Sequence, residues 1–324
     1  MMKKLWIKTM LSFTCFCLLI PISFRPAQAI NCDKDAPMSR GATWSPDGKQ
    51  IVFDSNRDGI QEIYIMNSDG SNVKRLTYTK TAKYLPSISS DGKKVLFMSY
   101  SDSEEAVYVM NIDGNELRKL TDENSRNGDP DWSSDSKQIV FHSDRDEEKP
   151  EIYVMDADGT NVKRLTRNKF RDYVPRWSPD GTMISFNTTR DGNREIYLMS
   201  SDGTNQRNVT NDPLSNMVHN WSPDSKQIIF YAFSLQSAHL KNTNLSKDEK
   251  SALVRTTAEI FVTDLDGKNR IQLTHNYFWD QGPVFSPDGS KILFESCRSG
   301  NRETYVMDAD GSNVKRLTFS TKSE

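Results

Sequence analysis

The sequence predicts an all-β fold, a six-bladed β-propeller made of four-stranded antiparallel blades. Three short signals that repeat in step along the chain support this prediction. A Ser-x-Asp-x turn occurs six times, at intervals of 44 or 45 residues with one interval of 64, and begins at Ser45, Ser89, Ser133, Ser178, Ser222 and Ser286. An Asp-Gly turn follows in each unit, and a tripeptide ending in Leu-Thr or Val-Thr closes it. A unit of about 40–45 residues with two hairpin turns is typical of a propeller blade.

Each unit contains four predicted strands. The first ends at an apolar residue such as Trp44, directly before a Ser-Pro-Asp-Gly turn in which proline fixes φ and glycine admits positive φ. The second and third strands, for example residues 51–53 and 63–66, are apolar on both sides, so both faces of their sheet are expected to be covered. The fourth, such as residues 73–77, alternates apolar and polar residues as an outer edge strand does.

Composition excludes several classes of protein. The chain has 324 residues, of which 35% are hydrophobic and 27% are charged, and its formal net charge is −2. This composition is too polar for a protein with several membrane spans. The near-neutral charge argues against binding to nucleic acid by neutralisation of phosphates, so we expect no nucleic-acid partner.

The first 29 residues have the features of a secretory signal peptide. Lys3, Lys4 and Lys8 form a basic start, residues 11–24 are apolar, and residues 27–29 (Ala-Gln-Ala) provide a small-x-small cleavage site. The apolar run is shorter than the roughly 20 residues that a spanning helix needs, although an uncleaved anchor is the alternative. We predict an exported protein, periplasmic or secreted, with no stable membrane insertion after cleavage of the signal.

The remaining residues, 30–324, are predicted to form a single propeller domain. The six blades span approximately residues 38–81, 82–125, 126–170, 171–214, 215–278 and 279–324. Blade five is longer because of an insertion at about residues 233–258, which contains a capping box at Ser246 and a predicted short helix. The insertion is either an arm that binds a partner over the channel mouth or a loop that the fold merely tolerates.

The repeated segments resemble those of a known family. Pro-x-Trp-Ser-Pro-Asp-Gly-Lys, Ile-x-Phe, Ser-x-Arg-Asp-Gly, Glu-Ile-Tyr-x-Met-x-x-Asp-Gly and Arg-Leu-Thr are similar to the repeat of the TolB propeller family over about residues 38–319. The resemblance implies a periplasmic propeller, and TolB itself binds a peptidoglycan-associated lipoprotein. TolB also carries an α/β domain before its propeller, whereas only about eight residues separate the predicted signal from blade one here. We therefore expect a stand-alone TolB-type propeller.

Two cysteines remain once the predicted signal peptide is removed. Cys32 precedes blade one and Cys297 lies in blade six, and a closed ring brings these two blades side by side. In an oxidising compartment we predict a Cys32–Cys297 disulfide that closes the ring. Two free thiols are the alternative.

Function is expected on the face where two sets of loops surround the mouth of the central channel. These loops differ most between units, as loops that contact a ligand do, and aromatic and arginine residues are common in binding hot spots. We predict that partner binding involves Tyr84, Asp129, Arg171, Tyr173, Arg176, His219, Phe278, Trp279 and Asp280. The alternative role for these residues is packing between blades.

One loop motif recurs too often for a single functional site. Ser-x-Arg-Asp occurs at residues 55–58 and 143–146, and related forms occur at residues 188–191 and 296–299. We interpret it as structural, with ion pairs that bind neighbouring loops.

The motifs of common enzyme classes are absent from the sequence. It contains no Gly-x-Ser-x-Gly elbow, no His/Cys cluster with zinc spacing and no phosphate-binding loop. The Asp-Ala-Asp-Gly segment at residues 156–159 is not a calcium loop, because Val154 and Leu165 would occupy two ligand positions. We expect no catalytic residue, no cofactor and no metal.

The sequence therefore favours an exported, monomeric propeller that acts as a protein-binding scaffold in the cell envelope. An envelope protein or lipoprotein is the expected partner. The alternative is a carbohydrate-active enzyme, a lyase or glycosidase, with its site at the channel mouth. Residues on or beside the inner strands would then build that site: Asp129, Asp131, Arg176, His219 and Asn220.

Overall fold

The computed structural model describes residue 32 and residues 36–101, 104–121, 125–234, 257–276 and 278–320. The predicted signal peptide lies outside the described residues, as does most of the insertion at 233–258 with its predicted helix. Within these ranges the chain forms 24 strands in six antiparallel sheets of four, which confirms the predicted six-bladed propeller.

The four strands of every blade follow one another in the chain. Blade one has β1 (Ser39–Trp44), β2 (Gln50–Ser55), β3 (Glu62–Asn67) and β4 (Lys74–Arg75). Blade two has β5 (Ala82–Ile88), β6 (Lys94–Ser101), β7 (Glu104–Asn111) and β8 (Arg118–Lys119). Blade three has β9 (Asn127–Trp132), β10 (Gln138–Ser143), β11 (Glu151–Asp156) and β12 (Lys163–Arg164). Blade four has β13 (Asp172–Trp177), β14 (Met183–Thr188), β15 (Glu195–Ser200) and β16 (Arg207–Asn208). Blade five has β17 (Asn216–Trp221), β18 (Gln227–Ser234), β19 (Thr257–Asp264) and β20 (Ile271–Gln272), and blade six has β21 (Asp280–Phe285), β22 (Lys291–Ser296), β23 (Glu303–Asp308) and β24 (Lys315–Arg316).

The first strands of the blades form the inner ring. Each contacts the first strand of the next blade, from β1 through β5, β9, β13 and β17 to β21, and β21 contacts β1. The sheets therefore pack face to face around a central channel. The second and third strands of each blade are sandwiched between neighbouring blades and are almost entirely buried, as their apolar sequences predict.

The core repeats one aromatic pair in every blade. A fully buried Phe of the second strand contacts a Tyr or Phe of the third, with ring centroids 5.7–5.9 Å apart. A cation lies over at least one ring of each pair, supplied by Arg57, Lys83, Arg145, Arg190, Arg270 and Arg298. The Arg of the Ser-x-Arg-Asp motif is therefore structural. It binds within its own blade, as in the Arg190–Asp172 ion pair of 2.9 Å, and does not bind neighbouring loops in this way.

A buried glutamate ties the third strand to the end of the fourth in five blades. In blade five, Thr274 Oγ1 donates to Glu259 at 2.7 Å, and the backbone N–H of Asn276 donates to the same carboxylate at 3.2 Å. Burial raises the pKa of Glu259 to about 7. Equivalent threonine bonds are made by Glu62, Glu151, Glu195 and Glu303. The Glu that begins the third strand and the Thr that follows the fourth strand therefore recur together because they hydrogen-bond to each other.

The ring closes without exchange of strands. The N–H of Ser39 donates to Arg302 O at 2.9 Å, in the same way that Lys83 N–H donates to Gln61 O at the interface of blades one and two. The predicted disulfide between Cys32 and Cys297 is confirmed, with Cα atoms 5.1 Å apart. The backbone contact that joins other neighbouring blades, together with one disulfide bond, thus holds blade six against blade one.

Candidate functional site

A cavity of about 380 Å³ occupies the central channel. All six blades contribute to its wall, mostly through their first strands. The lining residues include Arg40, Thr43, Tyr84, Leu85, Pro86, Met98, Tyr100, Asp131, Arg176, Val218, Asn220, Tyr231, Gln281, Glu295 and Arg302. Tyr100 and Arg302 lie beyond the first strands, at the end of β6 and before β23, so the cavity reaches the loop face of the propeller.

A bulge in each first strand shapes the cavity wall. In five blades the bulge holds a residue with positive φ: Gly41, Leu85, Asp129, Val174 and Gly282, with φ between 49° and 60°. This conformation is unfavourable for Leu and β-branched Val, so the surrounding structure must impose it. At position 41, a Cβ atom would lie 2.6 Å from Asp54 Oδ1, which explains why a glycine occurs there.

The bulges present backbone N–H groups to carboxylates of the preceding blade. Gly41 N–H donates to Glu295 Oε1 at 2.8 Å, and Leu85 N–H donates to Asp54 Oδ1 at 3.0 Å. On the other side of the channel, Trp177 N–H donates to Asp131 at 2.8 Å. These carboxylates join adjacent blades around the channel.

The position after the repeated Phe of each second strand differs in every blade. The residues are Asp54, Met98, His142, Asn187, Tyr231 and Glu295, and three of them line the cavity. Sequence reasoning missed Asp54 and Glu295 as site residues. The signal was present in the sequence, because this position varies in chemistry while the Phe directly before it recurs in all six blades.

Arg40 and Asp54 form a partly buried ion pair at the cavity. Arg40 Nε lies 3.1 Å from Asp54 Oδ2, and the guanidinium stacks 4.6 Å from the ring centroid of Tyr84. Gln61 also donates to this carboxylate. Burial raises the pKa of Asp54 to about 6 despite the neighbouring guanidinium. Burial would lower the pKa of Arg40, but the Asp54 and Glu295 carboxylates raise it above the ordinary value.

Arg302 approaches the same region from blade six. Its Nη1 lies 3.7 Å from Glu295 Oε2. With the Gln281 amide oriented for hydrogen bonding, its carbonyl oxygen accepts from Arg302 Nη2 at 3.0 Å. Arg40 and Arg302 therefore flank Glu295, whose side chain is only 10% exposed.

A second charged group lies across blades three and four. Arg176 Nη1 donates to the carbonyl oxygens of Asp129 and Pro175 at 3.2 and 2.8 Å. Asp129 Oδ2 lies 3.2 Å from His142 Nδ1. Burial would raise the pKa of Asp129, but its contact with His142 and the charge of Arg176 lower it. Burial raises the pKa of Asp131.

His219 lies beneath this group and is fully buried. Its Nε2 is 2.8 Å from Ser185 Oγ. Burial and the nearby charge of Arg176 lower the pKa of His219 to about 3, so its imidazole is neutral near neutral pH. Neither His219 nor Ser185 lines the cavity.

The predicted partner-binding residues separate into three groups. Tyr84 and Arg176 line the cavity, and Asp129 lies directly behind Arg176. Arg171 is exposed and Tyr173 is half-buried, with a pKa raised by burial. The others lie away from the cavity: His219 and Asp280 are fully buried, Phe278 contacts Arg298, and the ring of Trp279 is 6.1 Å from that of Phe233.

The Asp280 carboxylate is buried and is hydrogen-bonded to side chains of the protein. Its carboxylate accepts from Arg298 Nη2 at 3.0 Å and from Asn276 Nδ2 at 2.7 Å. The first strand β21 begins at this residue, so Asp280 lies on a strand and not in the loop where we expected it. The partner-binding role predicted for Asp280, as for the other eight residues, stays a prediction.

Neither a metal-binding cluster nor a membrane-spanning helix occurs among the described residues. No group of three or more His, Cys, Asp or Glu side chains there has the arrangement of a metal site. Across the same ranges, no helix is long and apolar enough to cross a membrane.

Comparison with solved structures identifies several propellers of similar fold. A candidate TolB from Agrobacterium tumefaciens is 24% identical, with a TM-score of 0.64 over 83% of this chain and 89% of that one. TolB from Acinetobacter baumannii is 20% identical, with a TM-score of 0.62 over 87% of this chain and 63% of that one. An oligogalacturonate lyase from Vibrio parahaemolyticus is 15% identical, with a TM-score of 0.56 over 84% of this chain and 75% of that one. These likenesses show the fold alone.

Sequence comparison gives the family. An uncharacterized protein of Agrobacterium fabrum is 39% identical over 62 residues, so the match spans about a fifth of either protein (19% of this chain and 21% of that one). The profile of the TolB beta propeller domain matches residues 24–107, 146–259 and 252–324, which is most of the chain. The repeat, the six closed blades and this match together show that the chain belongs to the TolB beta propeller domain family.

Proposed function

We propose that the protein is an exported TolB-like scaffold that binds an envelope protein or lipoprotein through the channel cavity and the loop face around it. One observation carries this proposal: the blades are nearly identical in their core but differ at the residues that line the cavity. Met98, Tyr231 and Glu295 line the cavity from equivalent positions and have different chemistry. A cavity whose lining residues differ from blade to blade is suited to recognition of one specific partner.

The envelope location is supported by three features. The predicted signal peptide directs export. The Cys32–Cys297 disulfide requires an oxidising compartment such as the periplasm or the extracellular space. The propeller belongs to the TolB family, and one of the similar solved structures is a TolB.

Affinity capture from the native envelope tests the proposal. The immobilised protein is compared with Tyr84→Ala, which alters the cavity wall, and with Lys137→Ala, which removes an 81% exposed side chain from a first-to-second-strand turn on the opposite face. We expect a specific envelope protein that is recovered with the unmodified protein and Lys137→Ala but strongly reduced with Tyr84→Ala. Equal recovery with all three proteins would refute a partner site in the cavity.

The enzyme alternative is tested with the same preparation. Incubation with oligogalacturonate, followed by absorbance of the unsaturated product, detects lyase activity. Turnover that is lost in Tyr84→Ala, without any captured partner, would replace the scaffold function by the enzymatic one.

A further inference from the structure

We propose that the cavity recognises the carboxylates of an acidic protein segment, with Arg40, Arg176 and Arg302 as the recognising groups. This inference rests on the proposed function, since it names the chemistry of the partner at the same cavity. The three arginines come from blades one, four and six and line one cavity of about 380 Å³. Ligand cavities of roughly 300–1,000 Å³ hold molecules larger than a single ion.

The acidic side chains of the cavity already have partners in the protein. Asp54 accepts from Leu85 N–H, Arg40 and Gln61, and its side chain is completely buried. Glu295 accepts from Gly41 N–H, and Asp131 accepts from Trp177 N–H. Because these carboxylates join neighbouring blades, they are poorly placed to bind a cationic ligand.

Arg40 and Arg302 are more accessible than the carboxylates that face them. The side chain of Arg40 is 29% exposed and that of Asp54 is 0% exposed. The side chain of Arg302 is 23% exposed and that of Glu295 is 10% exposed. At these two positions the guanidinium groups are therefore nearer to the cavity than the carboxylates that balance their charge.

Arg40 and Arg176 also keep donors for a ligand. Among the described residues, Arg40 donates side-chain hydrogen bonds only through Nε, and Arg176 only through Nη1. A guanidinium has several N–H donors in a planar fork that matches a carboxylate. The stacking of Arg40 on Tyr84 and the bonds of Arg176 to two carbonyl oxygens fix the direction of the remaining donors.

The rest of the wall favours a polypeptide over a polyhydroxylated ligand. Pro86, Met98, Val218 and Val284 contribute apolar surface between the arginines. A sugar chain needs a dense set of hydrogen-bonding groups, whereas apolar side chains of a peptide can pack against these walls. We therefore assign the carboxylates to Glu, Asp or the C-terminus of a protein segment.

Binding of defined probes to the complete exported protein tests the inference. A fluorescent hexaglutamate peptide is titrated by anisotropy at low salt, beside hexaglutamine and hexalysine peptides of the same length. We expect hexaglutamate to bind at least about tenfold more tightly than either of the others, and added salt to weaken it. Equal binding of hexaglutamate and hexaglutamine would overturn the inference.

Matched variants assign the binding to the cavity. Loss of one charge-assisted contact in Arg176→Gln or Arg302→Gln should weaken hexaglutamate binding about tenfold. Arg167→Gln removes the same charge at an exposed position outside the cavity and should leave binding within about twofold. Arg302→Glu should weaken hexaglutamate and strengthen hexalysine, a reversal that loss of folding cannot produce. An equal effect of Arg167→Gln would overturn the assignment to the cavity.

Two further arms separate this inference from its alternatives. Hexagalacturonate that binds more tightly than hexaglutamate, with the same dependence on Arg176 and Arg302, would overturn the choice of a protein segment. A partner captured through Tyr84 but unaffected by Arg176→Gln and Arg302→Gln would uphold the proposed function and refute the inference. Arginine-dependent hexaglutamate binding without any captured partner would support the inference and refute the proposed function.

Discussion

Removal of the Cys32–Cys297 disulfide tests how the propeller ring is held closed. The bond joins residues separated by 265 positions, so it restricts nearly the whole unfolded chain. The chain-entropy model gives an upper bound of about 5.6 kcal/mol for such a long loop, and measured losses for native disulfides are about 2–5 kcal/mol. We therefore expect Cys32→Ala to lower the free energy of unfolding by about 2–5 kcal/mol.

The ring itself should stay closed in this variant. Ser39 N–H still donates to Arg302 O, Ser39 Oγ still bonds Ser320 Oγ at 2.8 Å, and Gly41 N–H still bonds Glu295. These contacts stabilise the native state independently of the disulfide. We expect unchanged β-sheet circular dichroism and a single unfolding transition that is shifted to lower denaturant concentration.

The assay is equilibrium unfolding in guanidinium chloride with and without reductant. Reductant should destabilise the unmodified protein to the level of Cys32→Ala and leave the variant unchanged. Cys297 is fully buried, so Cys32→Ala/Cys297→Ala should lose about 1 kcal/mol more from packing. If Cys32→Ala unfolds at the same denaturant concentration as the unmodified protein, the disulfide is not what stabilises the ring.

Three further changes test the core and the cavity. Because Asp54 has a raised pKa of about 6, the native state binds this proton more tightly than the unfolded chain, so the stability of the unmodified protein relative to Asp54→Asn should fall by about 2 kcal/mol from pH 4 to pH 6, measured by urea unfolding. Phe141→Ala removes a fully buried ring beneath Arg145 and should cost about 3–5 kcal/mol, whereas Phe319→Ala, at a 65% exposed ring, should cost less than about 1 kcal/mol. Similar losses for the two would contradict the described core. Gly41→Ala places a Cβ 2.6 Å from Asp54 and should melt at a lower temperature than Gly92→Ala, which has the same kind of φ but open space around it.

The architecture was predictable from the sequence because the signals of one blade recur in six successive units. Each Ser-x-Asp turn, apolar strand pair and Leu-Thr segment repeats one blade, and an error in one unit is corrected by the other five. The disulfide was predictable for the same reason, since a closed ring makes blades one and six neighbours. The Ser-x-Arg-Asp motif was correctly interpreted as structural, although its ion pairs lie within a blade.

The cavity was harder to predict because its lining depends on a detail that the sequence does not display. A bulge in each first strand decides which residues face the channel, and Leu85 and Val174 give no hint of positive φ. We expected binding residues in loops, so Arg40 on β1 and Glu295 on β22 were missed. Arg302 was missed as well, although it lies in the loop before β23. We predicted His219 and Asp280 as binding residues because they are polar and near the channel. Both are fully buried, and each forms hydrogen bonds within the protein.

Site-specific cross-linking in the native envelope tests most directly whether the cavity and its loop face bind a partner. A photoreactive phenylalanine analogue replaces Tyr84 at the cavity or, as a control, Lys137, which lies 81% exposed in a first-to-second-strand turn on the opposite face. We predict that one envelope protein is cross-linked through position 84 and not through position 137. Cross-links to the same protein from position 137, with none from position 84, would contradict a partner site at the channel cavity.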